Sequence, residues 1–311
     1  MSLYKKYRPQ TFDEVLGNTQ SIASLKGIVE DYHNEKEIPH SFLFTGPTGC
    51  GKTTLGRILA RELGSEGNDY REVDSAQFRG IDTVREIRNQ MYYRPQQSPL
   101  RVFLLDECHM LGRGGNSSSN EAQNALLKAL EDTPSHVIFI LCTTDPQKLL
   151  ATIKGRCSHF EVSPLNDKTM SRLLKKVTRK EGENIDKELV EQITMDSLGH
   201  PRNALQILEQ TLRVDEDQRL EIARKTAEQK HQSIELCRAL IDGSPWKKVT
   251  KIIKGLSEEN PESIRHHVLS YCNSIILGGV NNKAAEIMEE FSEPFYNPYM
   301  LSLACYAIIN G

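Results

Sequence analysis

Short apolar runs alternate with helical spacing through the first half of the chain. Ser41-Phe42-Leu43-Phe44-Thr45, Val102-Phe103-Leu104-Leu105 and Val137-Ile138-Phe139-Ile140-Leu141-Cys142 are nearly unbroken by polar residues. Runs of this length without alternation read as strands buried on both faces, as in a parallel sheet covered by helices. Each run ends in polar residues: a Gly-rich turn after Thr45, Asp106-Glu107 after Leu105, and Thr143-Thr144-Asp145-Pro146 after Cys142. Ligands of open parallel sheets gather at the carboxyl ends of the strands. The three polar endings are therefore expected to form one site.

After Pro164 the pattern is helical throughout. Leu173, Leu174 and Val177 mark one side of a helix whose other side carries Arg172, Lys175, Lys176, Arg179 and Lys180, a face expected to be solvated. Leu189, Val190 and Ile193 continue the helical spacing. Gly199-His200-Pro201 is a start signal for the helix that carries Arg202. The charged stretch at 214–218 marks a boundary, and further helices follow it. The segment 112–120, rich in Gly, Ser and Asn, reads as a flexible loop. The pattern predicts an α/β domain over 1–165, then all-α domains over 166–216 and 217–311.

Composition narrows the chemistry. A length of 311 residues suits two or three domains. The net charge of −3 gives no global basic signature, so nucleic-acid binding must come from local patches or from several copies acting together. The seven cysteines are scattered without a C-x-x-C pair, which argues against a disulfide framework or a zinc site and for a reducing compartment. The first six residues lead into no apolar run, and no stretch approaches 18 apolar residues. Neither a secretory signal nor a membrane span is expected.

Gly46-Pro47-Thr48-Gly49-Cys50-Gly51-Lys52-Thr53 fits G-x-x-x-x-G-K-[ST] in full, with Thr54 behind it. Glycines let the backbone turn tightly, so that successive N–H groups face phosphate oxygens. A helix opening at Lys52 adds its positive end. Lys52 is expected to neutralise the β- and γ-phosphates of ATP, and Thr53 to hold Mg²⁺. Asp106 at a strand end is a second Mg²⁺ candidate, partly through water, and Glu107 is placed to polarise an attacking water. Taken alone, Thr143-Thr144 before Asp145-Pro146 reads more often as a turn.

Several motifs resemble clamp-loader ATPases. The segment from Tyr4 to Val15 resembles the opening of those subunits. Arg79-Gly80-Ile81-Asp82-Thr83-Val84-Arg85 is similar to the small subunits of replication factor C. Asp106-Glu107-Cys108-His109-Met110-Leu111, the run from Asn124 to Glu131, and Thr143-Thr144-Asp145-Pro146-Gln147-Lys148-Leu149 resemble the bacterial gamma/tau subunit. The likeness runs from about residue 4 to about residue 212. It implies a RecA-like AAA+ domain with a parallel sheet and flanking helices, an all-α lid and an all-α collar. It also implies an ATPase that opens a ring-shaped sliding clamp and loads it on primer-template DNA.

The resemblance further implies individual roles. Thr144 is the sensor 1 residue. Arg156 is an arginine finger that reaches the ATP of a neighbouring subunit; by itself it reads as a surface arginine near a helix end. Arg202 is sensor 2, and Tyr4, Tyr7, Arg8 and Leu16 surround the adenine and ribose. Arg79, Ile81, Arg85 and Arg88, with Gln123 at a second helix start, are candidates for DNA, and Met91, Tyr92 and Tyr93 for the clamp. Partners are further copies of this chain and at least one companion subunit, in the cytoplasm of a bacterium or a phage-infected host. Three departures stand out: Gly155 replaces the usual Ser before the finger, the four-cysteine zinc module is absent, and the 112–120 loop is long. They suggest a compact or phage-type relative. The alternatives are another DNA-dependent AAA+ motor for branch migration or helicase loading, a non-catalytic scaffold subunit, and a polymerase-holoenzyme organiser. The intact Lys52, Asp106 and Glu107 argue against the scaffold.

Overall fold

The computed structural model describes residues 1–75, 77, 80–111, 120–230, 232–257 and 260–310, with side chains at 120, 225–230, 263, 274 and 278 left aside. The chain forms two compact units: Tyr7–Leu165, and Met1–Lys6 together with Asn166–Gly311.

After the short helix α1 (Leu3–Lys6), the first unit runs α2 (Thr19–His33), β1 (Ser41–Thr45), α3 (Lys52–Glu62), β2 (Tyr70–Asp74), α4 (Ile81–Met91), β3 (Arg101–Asp106), α5 (Asn120–Glu131), β4 (Val137–Thr143), α6 (Ala151–Lys154) and β5 (Ser158–Glu161). The five strands are all parallel, in the order β2-β3-β4-β1-β5. The RecA-like α/β expectation is met, and β1, β3 and β4 are the three runs the apolar pattern predicts.

Side chains alternate between two apolar layers, as the strand period of two requires. Phe42, Phe44, Val102, Leu104, Ile138 and Ile140 pack with Leu25 of α2 and with Leu55, Ile58 and Leu59 of α3. Leu43, Phe103, Leu105, Phe139 and Leu141 pack with Val84, Ile87 and Met91 of α4 and Leu126 of α5. Strands β2 and β5 lie outside the predicted runs because they are edge strands. Each buries a single residue, Val73 or Phe160, so their sequences YREVD and SHFE carry no continuous apolar run.

In the second unit, α7 (Asp167–Glu181), α8 (Lys187–Asp196), α9 (Pro201–Thr211), α10 (Arg219–Lys230), α11 (Gln232–Ile241), α12 (Trp246–Gly255), α13 (Pro261–Gly278), α14 (Asn282–Glu290) and α15 (Pro298–Asn310) are all helical. Met1–Lys6, grouped with the α/β domain on sequence, packs here instead. Leu3 is buried, its N–H donates to Glu209 at 3.1 Å, and Lys6 pairs with Glu181 at 2.7 Å. Helix α10 packs on α8, α9 and α11. Across it, the Arg238 guanidinium of α11 reaches both carboxylate oxygens of buried Asp196 at 2.6 and 2.7 Å.

One buried acid fixes the approach to β3. Asp69 accepts the N–H groups of Gln96 (2.9 Å), Gln97 (2.7 Å) and Ser98 (3.0 Å), with Arg101 at 3.3 Å. Burial alone would raise its pKa. The backbone donors and Arg101 outweigh that and hold the carboxyl at about 2, below its ordinary 3.8. A pKa depressed in the folded state contributes stability that is present above the unfolded value and lost as pH falls through the folded one. Asp69→Asn is expected to cost about 1–3 kcal/mol at neutral pH. In urea melts the gap between wild type and variant should then shrink as the pH falls from about 4 to about 2, the window set by the shift.

Candidate active site

The phosphate loop leaves β1 at Thr45 through glycines with positive φ: Gly46 at 138°, Gly49 at 78° and Gly51 at 112°. At Gly46 a Cβ would stand 2.1 Å from the carbonyl oxygen of Val162, so this position admits hydrogen alone. Cys50 is buried in the α2–α3 layer and anchors the loop, while Pro47 and Thr48 are exposed at its tip. Helix α3 begins at Lys52, with Thr53 and Thr54 half-buried in its first turn. The Lys52 ammonium is buried and donates to the carbonyls of Gly46 (2.9 Å) and Pro47 (3.0 Å). Phosphate oxygens are stronger acceptors for the same cation.

Parallel pairing brings the acids to this loop. Thr53 Oγ1 donates to Asp106 Oδ2 at 2.8 Å, and the Glu107 N–H donates to Asp106 Oδ1 at 3.1 Å. Burial raises the Asp106 pKa; Thr53 opposes the rise and the neighbouring Glu107 adds to it. A hydroxyl and a desolvated carboxylate in contact are a donor set that suits a hard divalent cation, whose charge would offset that burial.

Glu107 has left-handed backbone, φ 47° and ψ 45°, uncommon for a residue with a Cβ. Its Oε2 accepts the Thr144 N–H at 3.2 Å and the Thr144 hydroxyl at 2.8 Å. Thr143-Thr144 therefore forms more than a turn: Thr144 touches the acid that follows β3. His109 completes the group, with Nδ1 3.0 Å from Thr143 Oγ1 and 3.3 Å from Glu107 Oε2. Sequence reasoning gave His109 no role, although the D-E-x-H spacing was the available signal.

The remaining candidates distribute as follows. Tyr7, Arg8 and Leu16 are half-buried in the α/β unit. Tyr4 and Arg202 belong to the helical unit, where the Arg202 guanidinium lies 6.0 Å from the Tyr4 ring centroid. Arg156 is partly exposed, pairs with Glu131 at 2.5 Å and donates to the Thr152 carbonyl at 3.1 Å. Gly155 has ordinary helical backbone, and a Cβ there would lie 3.5 Å from the Ala151 carbonyl oxygen. A serine would fit, so its replacement by glycine leaves the geometry before Arg156 undisturbed.

On α4, Arg85 is exposed beside Asp82 at 3.1 Å, and Arg88 pairs with Asp132 at 3.3 Å. Ile81 is half-buried against the core, and Arg79 lies outside the described residues. Two expectations are corrected. Gln123 is buried, with its amide donating to the Lys148 carbonyl (3.1 Å) and accepting the Leu150 N–H (3.0 Å), so it clamps the loop after β4 and has no free face for DNA. Met91 is fully buried as the last of the series Val84, Ile87 and Met91, whose spacing is the inward stripe of an amphipathic helix. It has no surface for a clamp. Tyr92 and Tyr93, just past that helix, are 55% and 67% exposed.

Comparison with known proteins agrees with this geometry. The family model for the ATPase family associated with various cellular activities (AAA) matches residues 42–165. DNA polymerase III subunit gamma/tau of Mycobacterium tuberculosis is 37% identical over 235 residues, covering 68% of this chain and 39% of that one. DNA polymerase III subunit gamma of Buchnera aphidicola subsp. Schizaphis graminum is 34% identical over 236 residues, covering 69% and 62%. The chain thus spans about two fifths of the length of the mycobacterial relative. Among solved structures, the Thermotoga maritima RuvB Holliday junction branch migration motor aligns with TM-score 0.59 and 20% identity, over 96% of this chain and 91% of that one. At that identity the likeness establishes the fold.

The tight approach at Gly46 carries a test. Gly46→Ala places a methyl against a backbone carbonyl at a φ that disfavours side chains. It is expected to lower stability by about 2–4 kcal/mol. A thermal melt should show the loss, and titration with a fluorescent ATP analogue should show binding weakened together with it.

Proposed function

This chain belongs to the AAA family of ATPases and is a homologue of DNA polymerase III gamma/tau subunits; from that premise we propose that it is the ATP-hydrolysing motor of a sliding-clamp loader. In this reading ATP drives opening of a ring clamp and its placement on primer-template DNA. The observation that carries the reading is the joined constellation at the strand ends, where Thr53 meets Asp106 and Thr144 meets Glu107.

The loop N–H groups and Lys52 bind the phosphates. Lys52 exchanges the carbonyls of Gly46 and Pro47 for phosphate oxygens. Thr53 and Asp106 would hold Mg²⁺, which when bound supplies charge neutralisation at the phosphate oxygens. Glu107 polarises the attacking water, and Thr144 holds Glu107 in place. Arg156 acts on the ATP of a neighbouring copy, so hydrolysis depends on assembly; Glu131 holds it in the single chain. Arg202, from a lid over 166–216, senses the γ-phosphate. Tyr4, Tyr7, Arg8 and Leu16 receive the base and ribose.

Arg85 and Arg88 of α4, with Arg79, meet DNA phosphates, which predicts salt-dependent binding. Tyr92 and Tyr93 are aromatic anchors for the clamp. The segment 217–311 acts as a collar. Helix α15 supports this, because Tyr299, Leu303 and Tyr306 line one exposed face at spacings of four and three residues. A helix that is apolar on nearly every side is one that buries itself against another body. Action in the cytoplasm goes with the loader reading, and no helix among the described residues is long and apolar enough to cross a membrane.

Steady-state ATPase assays with and without primed DNA plus the cognate clamp test the reading. Wild type should be stimulated by both together. Glu107→Gln should lose roughly 10²- to 10⁴-fold in kcat while still binding nucleotide. Arg156→Ala should lose roughly 10³-fold in the assembled state alone. Turnover indifferent to the clamp would overturn the loader reading in favour of another DNA-dependent motor. Sedimentation of Leu303→Asp tests the collar separately: a smaller assembly with an unchanged melting temperature is expected, and an unchanged mass would remove α15 from the interface.

A further inference from the structure

His109 sits at the junction of two strand ends and is 8% exposed. Its Nδ1 faces two acceptors, Thr143 Oγ1 at 3.0 Å and Glu107 Oε2 at 3.3 Å. A bare nitrogen lone pair beside a carboxylate oxygen is repulsive, whereas an N–H there is attractive. The carboxylate therefore favours the tautomer with the proton on Nδ1, which puts that N–H within reach of both oxygens. Thr143 Oγ1 is in turn fixed by the Asp145 N–H at 3.0 Å, so the imidazole is tied to the carboxyl end of β4.

The two oxygens of Glu107 consequently differ. Oε2 accepts the N–H and the hydroxyl of Thr144, and His109 Nδ1 lies 3.3 Å from it. Oε1 takes no hydrogen bond from the described residues. A carboxylate held at one oxygen by several groups turns less freely, and its other oxygen keeps a narrower range of aim. Glu107 needs such support, because its left-handed backbone does not favour a residue with a side chain. Thr144 supplies two donors from a single residue, and an Nδ1–H of His109 adds a contact from a second residue that restricts turning about them.

We propose that His109 is a positioning residue for hydrolysis: by donating from Nδ1 to Glu107 Oε2 while braced on Thr143, it aims Glu107 Oε1 at the attacking water. This rests on the role of Glu107 given above. It adds a group that acts through Glu107.

The test compares His109→Phe, which keeps the ring volume and removes both nitrogens, with His109→Asn, whose side-chain amide N–H takes the position of Nδ1–H. Both are measured in the full chain, with steady-state kinetics, nucleotide binding and melting temperature. A lost hydrogen bond to a charged group corresponds to roughly 10- to 100-fold in rate. His109→Phe should lose kcat by that factor, with KM for ATP within about twofold of wild type. His109→Asn should recover most of the loss. Wild-type turnover in His109→Phe overturns the proposal. So does a His109→Asn variant that melts like wild type yet is as slow as His109→Phe. If His109→Phe fails to fold, His109→Asn set against His109→Leu decides by the same comparison. A wild-type chain whose turnover ignores clamp and DNA would sink the loader reading but leave this comparison standing, since it is made among variants of one active site.

Discussion

The parallel register of β1, β3 and β4 is the constraint on which the site depends. Strand β4 lies between the other two, pairing Thr45 with Thr143 on one side and Leu105 with Leu141 on the other. The phosphate loop, the acidic pair and the two threonines therefore leave the sheet at the same edge. The register is held by burial on both faces. A slip of one residue would exchange the side chains facing α2 and α3 with those facing α4 and α5. Phenylalanines and leucines fitted to one layer would then meet the other, and a close-packed interior does not tolerate that without strain.

Buried charge is used in two ways in this unit. Asp69 is surrounded by three backbone N–H donors and Arg101, and its carboxyl is held well below the usual range. It is a structural acid, spent on fixing the turn before β3. Asp106 is also withdrawn from water, but a single hydroxyl and one N–H serve it, and burial dominates. Lys52 is the counterpart on the other side, an ammonium held by carbonyls of its own loop. The charges are thus in place before any phosphate arrives, which is what preorganisation requires.

Surface and core are divided on helices that carry both. Helix α4 turns Val84, Ile87 and Met91 inward and Arg85 and Arg88 outward, and the chain leaves it with two exposed tyrosines. Glu131 holds Arg156 and Asp132 holds Arg88 in ion pairs that are solvated. Such pairs are weak and exchange readily for a better partner.

By itself the sequence determined the fold class, the three central strands and the phosphate loop, because each rests on local pattern: unbroken apolar runs, glycine spacing, and a lysine and threonine at fixed offsets. It also placed Asp106, Glu107 and the threonine pair at strand ends. The edge strands β2 and β5 escaped, since a strand buried on one side of a sheet margin has no continuous apolar signature. Only the tertiary structure decided which polar residues face inward. Gln123 and Met91 lie on helices whose spacing allowed either surface or core, and packing settled both, Gln123 on the loop after β4 and Met91 in the layer with Val84, Ile87 and Leu126. It likewise placed Met1–Lys6 with the helical unit through Leu3, Lys6 and their partners more than 170 residues away. His109 is the clearest case: nothing near it in sequence reveals Thr143, and the contact exists because parallel pairing sets the ends of β3 and β4 side by side.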